Sequence, residues 1–125
     1  FLFAEYINCT EIKNLSCLDT SKVTNMSYMF FNCRLLTTLN LNNFNTTNTT
    51  KMSNVFNGCK ALKSLSIEDF DTSNVTEMMG MFSRCSSLES IDVKNFNTTN
   101  VNNMYCMFWN CTSLKSIDVS NFDTF

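Results

Sequence analysis

Asp71–Phe96 reads DTSNVTEMMGMFSRCSSLESIDVKNF, and the same frame recurs without a gap as Asp19–Phe44, Asn45–Phe70 and Asn97–Phe122. The step is 26 residues each time, and all four copies fit [D/N]-T-[S/T]-x-[V/T]-x-x-M-x-x-[M/V]-F-x-x-C-x-x-L-x-x-[L/I]-x-[L/I/V]-x-x-F. Residues 1–18 form a partial N-terminal repeat: Cys9, Ile12, Leu15 and Cys17 keep the spacing of Cys33, Leu36, Leu39 and Leu41, although the copy runs two residues short before Asp19. Residues 123–125 begin a further copy. A period of this length predicts a solenoid, in which each unit buries its apolar face only against its neighbours. The chain opens in mid-repeat on Phe1 and stops inside a new repeat, so the expectation is a fragment of a longer array.

Two periodicities alternate within a copy. Met78, Met81, Phe82 and Cys85 stand at i, i+3, i+4 and i+7, the spacing of one helix face. Thr76 suits an N-cap with Glu77 in the first turn, and Thr24, Thr50 and Asn102 are its equivalents. Asn32, Gly58, Arg84 and Asn110 precede the cysteines where a left-handed C-terminal residue would sit. This predicts short helices near 25–31, 51–57, 77–83 and 103–109. After the cysteine the spacing becomes L-x-x-L-x-L, as in Leu88, Ile91 and Val93, predicting strands near 38–42, 64–68, 90–94 and 116–120. The expected fold is an α/β solenoid, a leucine-rich-repeat-like array with one short parallel strand and one short helix per coil. Three strands per coil with no helix would mark a β-helix instead.

The charge is −2, from 9 basic and 11 acidic residues dispersed along the chain, which leaves no basic footprint for nucleic acid or anionic lipid. No apolar run approaches the roughly 20 residues of a membrane span, so this segment is not expected to insert. Proline is absent and the two glycines, Gly58 and Gly80, are isolated, so no linker interrupts the array.

The runs DTSKVTNMSYMF, DTSNVTEMMGMF and CTSLKSIDVSNFDT resemble the 26-residue bacterial surface-protein repeat of the BspA-like group of leucine-rich-repeat proteins, continuously from Asp19 to Thr124. The resemblance implies a secreted or surface-anchored protein linked to adhesion or host contact, and it carries no active site to transfer. Thr49, where the other copies have Val, is the main departure within the repeats.

Cys9, Cys33, Cys59, Cys85 and Cys111 fall in one column, with Cys17 and Cys106 off it. The column coincides with the apolar face, so free buried thiols are expected rather than disulfides. No C-x-x-C and no histidine occur, so no metal site is expected. The Met column (Met26, Met52, Met78, Met104) and the Phe column (Phe30, Phe56, Phe82, Phe108) read as core. Phe31 and Trp109 share a column beside that face, as candidate contacts on its convex side. Without histidine, Ser-His and Cys-His catalysis is unavailable, no phosphate loop is present, and no cofactor is implied. Asp92 and Asp118 could pair as carboxylates, but stacked solvated acids are the commoner arrangement.

Sequons occur at Asn8, Asn14, Asn25, Asn45, Asn48, Asn74, Asn97 and Asn110, which would count only in a eukaryotic secretory pathway. Turn formation and polar stacking account equally well for repeated Asn and Asp. The outward strand columns contain the candidate binding face: Asn40, Ser66, Glu68, Ser90, Asp92, Lys94, Asp118 and Ser120. The expected function is non-catalytic binding and scaffolding in an extracellular adhesin-like protein that recognises protein or glycan on a host or neighbouring cell. The alternative is a structural part of a filament, sheath or phage fibre, with self-association into a longer array.

Overall fold

The computed structural model describes residues 2–123. The copies stack in register, but the unit that stacks differs from the expected one. No α-helix occurs among the described residues. The regular elements are a 3-10 turn at Leu15–Cys17 and two short strands, β1 (Thr38–Asn40) and β2 (Ser64–Ser66). The strand–helix coil of a leucine-rich repeat is therefore not formed. Three strands per coil are not formed either. No helix of the described residues is long and apolar enough to cross a membrane.

Where helices were expected, the backbone alternates between two kinds of hydrogen bond. The N–H groups of Met26, Tyr28, Phe30 and Asn32 donate to the carbonyls of Lys51, Ser53, Val55 and Asn57 in the next copy, at 2.8–3.0 Å. Between them, Met29, Phe31 and Cys33 turn back to Met26, Tyr28 and Phe30 at 3.1–3.2 Å. The inter-copy pattern repeats from Met52, Asn54, Phe56 and Gly58 to Glu77, Met79, Met81 and Ser83, and from Met78, Gly80, Phe82 and Arg84 to Asn103, Tyr105, Met107 and Trp109. Isolated parallel bridges link Asn25 to Lys51, Lys51 to Glu77 and Glu77 to Asn103.

Left-handed residues recur every fourth position along these segments and rule out a helix. Tyr28, Asn54, Gly80 and Cys106 have φ of 56–62°, and Asn32, Gly58, Arg84 and Asn110 have φ of 59–82°. The left-handed positions before the cysteines are thus present, as turn corners rather than helix caps. The energetic reason lies in the length. A helix of two turns leaves most of its N–H and C=O groups unpaired and its nucleation uncompensated. Stacked turns give every second N–H a partner one copy away while keeping Met, Met, Phe and Cys inward. The expected N-caps do a different job as well: Thr50 and Thr76 each donate backbone N–H and side-chain hydroxyl to the carbonyls of Thr24 and Thr50.

β1 and β2 pair in parallel, Thr38 with Ser64, Leu39 with Leu65 and Asn40 with Ser66. The sheet does not extend to residues 90–94 and 116–120, which run without strand pairing. Continued in the same register, Ser66 would meet Asp92 and Asp92 would meet Asp118; like charges oppose pairing at the second of these joints only.

The core is a set of columns. Phe3, Phe30, Phe56, Phe82 and Phe108 form one near-parallel ring stack with centroids 5.3–5.7 Å apart. Phe96 and Phe122 stack in a second column at 6.5 Å. Met26, Met52 and Met78, with Leu36, Leu62 and Leu88, are buried in the same core. Thr49 keeps the register of its copy: it is fully buried and its hydroxyl donates to the Val23 carbonyl at 3.0 Å.

All seven cysteines are free. Cys33, Cys59, Cys85 and Cys111 donate their thiols to the carbonyls of Phe3, Phe30, Phe56 and Phe82 at 3.0–3.2 Å, so the column is a hydrogen-bonded part of the core. Cys9 departs from it and bonds the Glu11 carbonyl instead. Burial, followed by the neighbouring Cys111 thiol, pushes the Cys85 thiol well above its ordinary range.

Candidate binding face

The outward residues of the first two copies lie on or beside β1 and β2, and three of the four copies add a turn at this face. Asn40, Asp92 and Asp118 each accept the backbone N–H two residues on, from Asn42, Lys94 and Ser120, at 3.0 Å. A carboxylate or amide in that turn satisfies a local donor with one oxygen and leaves the rest of the group free to project. Asn40, Glu68, Ser90, Asp92, Lys94, Asp118 and Ser120 are exposed, and Ser66 is half-buried beside them. Thr38, Ser64 and Ser116, in the adjoining column, are exposed too.

The structure brings Ser90, Asp92, Lys94 and Asp118 together. With Ile91 and Val93 they line a shallow groove of about 220 Å³ across the third and fourth copies. Lys94 Nζ stands 3.9 Å from Asp92 Oδ2. The side chain and backbone N–H of Ser120 hold the Asp118 carboxyl below its ordinary value, and Lys94 adds a smaller pull in the same direction. A carboxyl so held presents charge and hydrogen-bond acceptors to the groove. Beside it Lys115 and Glu89 pair across one copy at 2.7 Å. Asn40, Ser66 and Glu68 lie one and two copies away, outside this groove.

The convex-side candidates are separate from one another. Trp109 is exposed with the Arg84 guanidinium 5.1 Å from its ring centroid. Phe31 is half-buried, edge-on to Tyr28 at 5.4 Å.

The sequon asparagines are all exposed, and several serve the backbone. Asn25, Asn45 and Asn97 accept the N–H of Ser27, Thr47 and Thr99. Asn48 and Asn74 donate to the carbonyls of Ser21 and Thr47 in the preceding copy at 2.7 and 2.8 Å, as Asn100 does to Ser73. Among the described residues no group of three or more His, Cys, Asp or Glu side chains is placed to hold a metal ion.

Sequence reasoning missed one structural column. Thr46 and Thr72 are buried, and each hydroxyl both donates to the carbonyl and accepts the N–H of the residue opening the next copy, Asp71 and Asn97. Thr20 makes the same pair with Asn45, and Thr98 accepts from Asp123. Its signal was present: the second position of the template is Thr in every copy, whereas its neighbours vary.

No curated protein and no solved structure matches the chain. The chain belongs to the family described as Mycoplasma protein of unknown function, DUF285, whose model matches residues 35–125.

Proposed function

We propose that this segment is a non-catalytic recognition and scaffolding unit of a secreted or cell-surface, adhesin-like protein, akin to the BspA-like surface proteins its repeat resembles. Protein or glycan on a host or neighbouring cell is the proposed partner, and the exposed columns through Asp92, Lys94, Asp118 and Ser120 are the proposed contact face.

One observation carries the reading. Columns that pack inward stay almost wholly apolar and are mostly buried, and some keep one residue type, as with Phe30, Phe56 and Phe82. Columns facing outward change from Asn40 to Ser66 to Asp92, or from Glu68 to Lys94 to Ser120, and are mostly exposed. Residues that the fold does not dictate are where recognition can be written.

The test is binding to a glycan array and to immobilised extracellular-matrix proteins, with circular dichroism on the same samples. Asp92→Ala alone should weaken binding by about 0.5–2 kcal/mol, because contacts spread over several copies share the energy. Changing Asp92, Lys94, Asp118 and Ser120 together to Ala should remove binding and leave the spectrum unchanged. A folded quadruple variant that binds undiminished refutes the assignment and moves attention to Trp109 and Phe31.

A further inference from the structure

The parallel pairing of β1 leaves one of its edges open. Ser64 donates its N–H to the Thr37 carbonyl and Leu41 donates to the Ser66 carbonyl, so the odd-numbered residues of this stretch turn their backbone groups toward β2. In an extended strand alternate residues direct N–H and C=O to opposite sides. Thr38 and Asn40 therefore point theirs away from β2, toward residues 11–16.

In a regular stack the preceding copy would fill that side. Here it does not. The partial repeat is two residues short, Asn14 takes a left-handed φ of 59°, and Leu15–Cys17 curls into a 3-10 turn. No backbone hydrogen bond joins residues 11–16 to Thr38 or Asn40 among the described residues. The link between the two segments near this point is a side-chain one, from Asn43 Nδ2 to the Leu15 carbonyl at 3.2 Å.

What remains is a cleft of about 510 Å³ between the two segments, lined by Glu11, Ile12, Leu15 and Ser16 on one side and by Thr38, Leu39, Asn40, Asn42 and Asn43 on the other. Its lining carries charge of one sign. Glu11 is the charged residue of the lining, its carboxylate exposed and 3.6 Å from the solvated Lys13 ammonium. Asn42 Oδ1 is buried with no hydrogen-bond partner, an unmet demand for a donor that a turn of this half-buried side chain would present to the cleft. Ile12, Leu15 and Leu39 give an apolar floor.

We propose that this cleft is a docking site for an extended peptide segment that adds to the open edge of β1, alternating apolar residues against Ile12, Leu15 and Leu39 with a Lys or Arg side chain directed to Glu11 and Asn42. Backbone pairing with Thr38 and Asn40 supplies affinity, and the side-chain alternation supplies selectivity. The proposal is independent of the outer-face reading, because its lining residues lie in the partial repeat and the first copy and not in the third and fourth copies.

The probe is the capped peptide Thr-Val-Lys-Val-Thr, in three further forms: norleucine for lysine, and N-methylation of the amides along one edge or the other. Amide hydrogen exchange of Thr38 and Asn40 should slow on saturation with the parent peptide. N-methylation of one edge should weaken binding by about tenfold and that of the other edge should not, since only one edge can face β1. Glu11→Gln, at an exposed position outside the core, should erase most of the preference for lysine over norleucine. The quadruple outer-face variant should bind the peptide normally, so failure of one assignment is distinguishable from failure of the other. Unchanged exchange at Thr38 and Asn40 under saturating peptide overturns the proposal. Protection that instead rises with protein concentration without peptide also overturns it, and names a second copy of the chain as the occupant.

Discussion

Thr72→Val separates a hydroxyl from a shape. Thr72 is 1% exposed, and its Oγ1 donates to the Asn97 carbonyl at 3.0 Å while accepting the Asn97 N–H at 2.8 Å. Valine fills the same volume, so no cavity forms and packing stays constant. Two hydrogen bonds vanish, each worth about 1 kcal/mol net, and an N–H at a copy-to-copy joint loses its partner at a further cost of about 1–3 kcal/mol. Against this, the extra apolar character of valine returns about 1 kcal/mol. The expected net loss is about 2–4 kcal/mol. Urea unfolding followed by circular dichroism measures it, with amide exchange at Asn97 as the local readout. Thr72→Ser keeps both bonds and loses one methyl, so it should cost only about 1 kcal/mol. A Thr72→Val variant as stable as the parent, or equal to Thr72→Ser, would refute the assignment of this column as a hydrogen-bonded joint.

Gly80→Ala should destabilise by about 1–2 kcal/mol in the same assay, because Gly80 sits at φ 60° and an added Cβ would meet Asn54 Oδ1 at 2.5 Å. Asp71 is held below its ordinary value of 3.8 by the side chain and then the backbone N–H of Ser73, so its contribution to stability is present above that value and is lost as the pH falls through the lower folded one. Asn45 and Asn97 build the same turn with an amide, so Asp71→Asn should melt like the parent at neutral pH and show a smaller drop in Tm on acidification below about pH 3.8. Under native conditions a thiol alkylating reagent should modify exposed Cys17 at once and leave Cys59 and Cys85 untouched until denaturant is added; rapid native labelling of Cys85 would contradict its place in the core.

The sequence revealed the repeat, its register and nearly every inward column, because burial leaves a periodic record. It misdirected the local geometry. Met78, Met81, Phe82 and Cys85 have helical spacing, yet two successive turns with left-handed corners at Gly80 and Arg84 place the same residues inward. Periodicity reports which side chains face the core and cannot distinguish two backbones that deliver the same facing. The clue was in the columns: Asn54 and Gly80 share one, and Asn32, Gly58 and Asn110 share another, all types that tolerate positive φ. The strand columns were legible as an outward and inward alternation, which records facing and not pairing. Asn40 meets Ser66 in the sheet, whereas the equivalent joints of Ser66 with Asp92 and of Asp92 with Asp118 stay unpaired. The outer face was legible because exposure follows from the alternation alone; the cleft beside β1 was not, since it arises from a missing pairing.

Because the inter-copy bonds along the Met-to-Cys segment run in one direction, from N–H in one copy to C=O in the next, each joint repeats the one before it along that segment. A duplicated or deleted stretch of any whole copy would rejoin donors to acceptors, rings to rings and threonine hydroxyls to the next opening residue. Insertion of a single residue would instead shift Phe56 out of line with Phe30 and Phe82 and misalign the bonds on both sides. Such a chain can change length in whole units at little cost to folding, while point insertions inside a unit are penalised, so reach can be altered without redesigning any single joint.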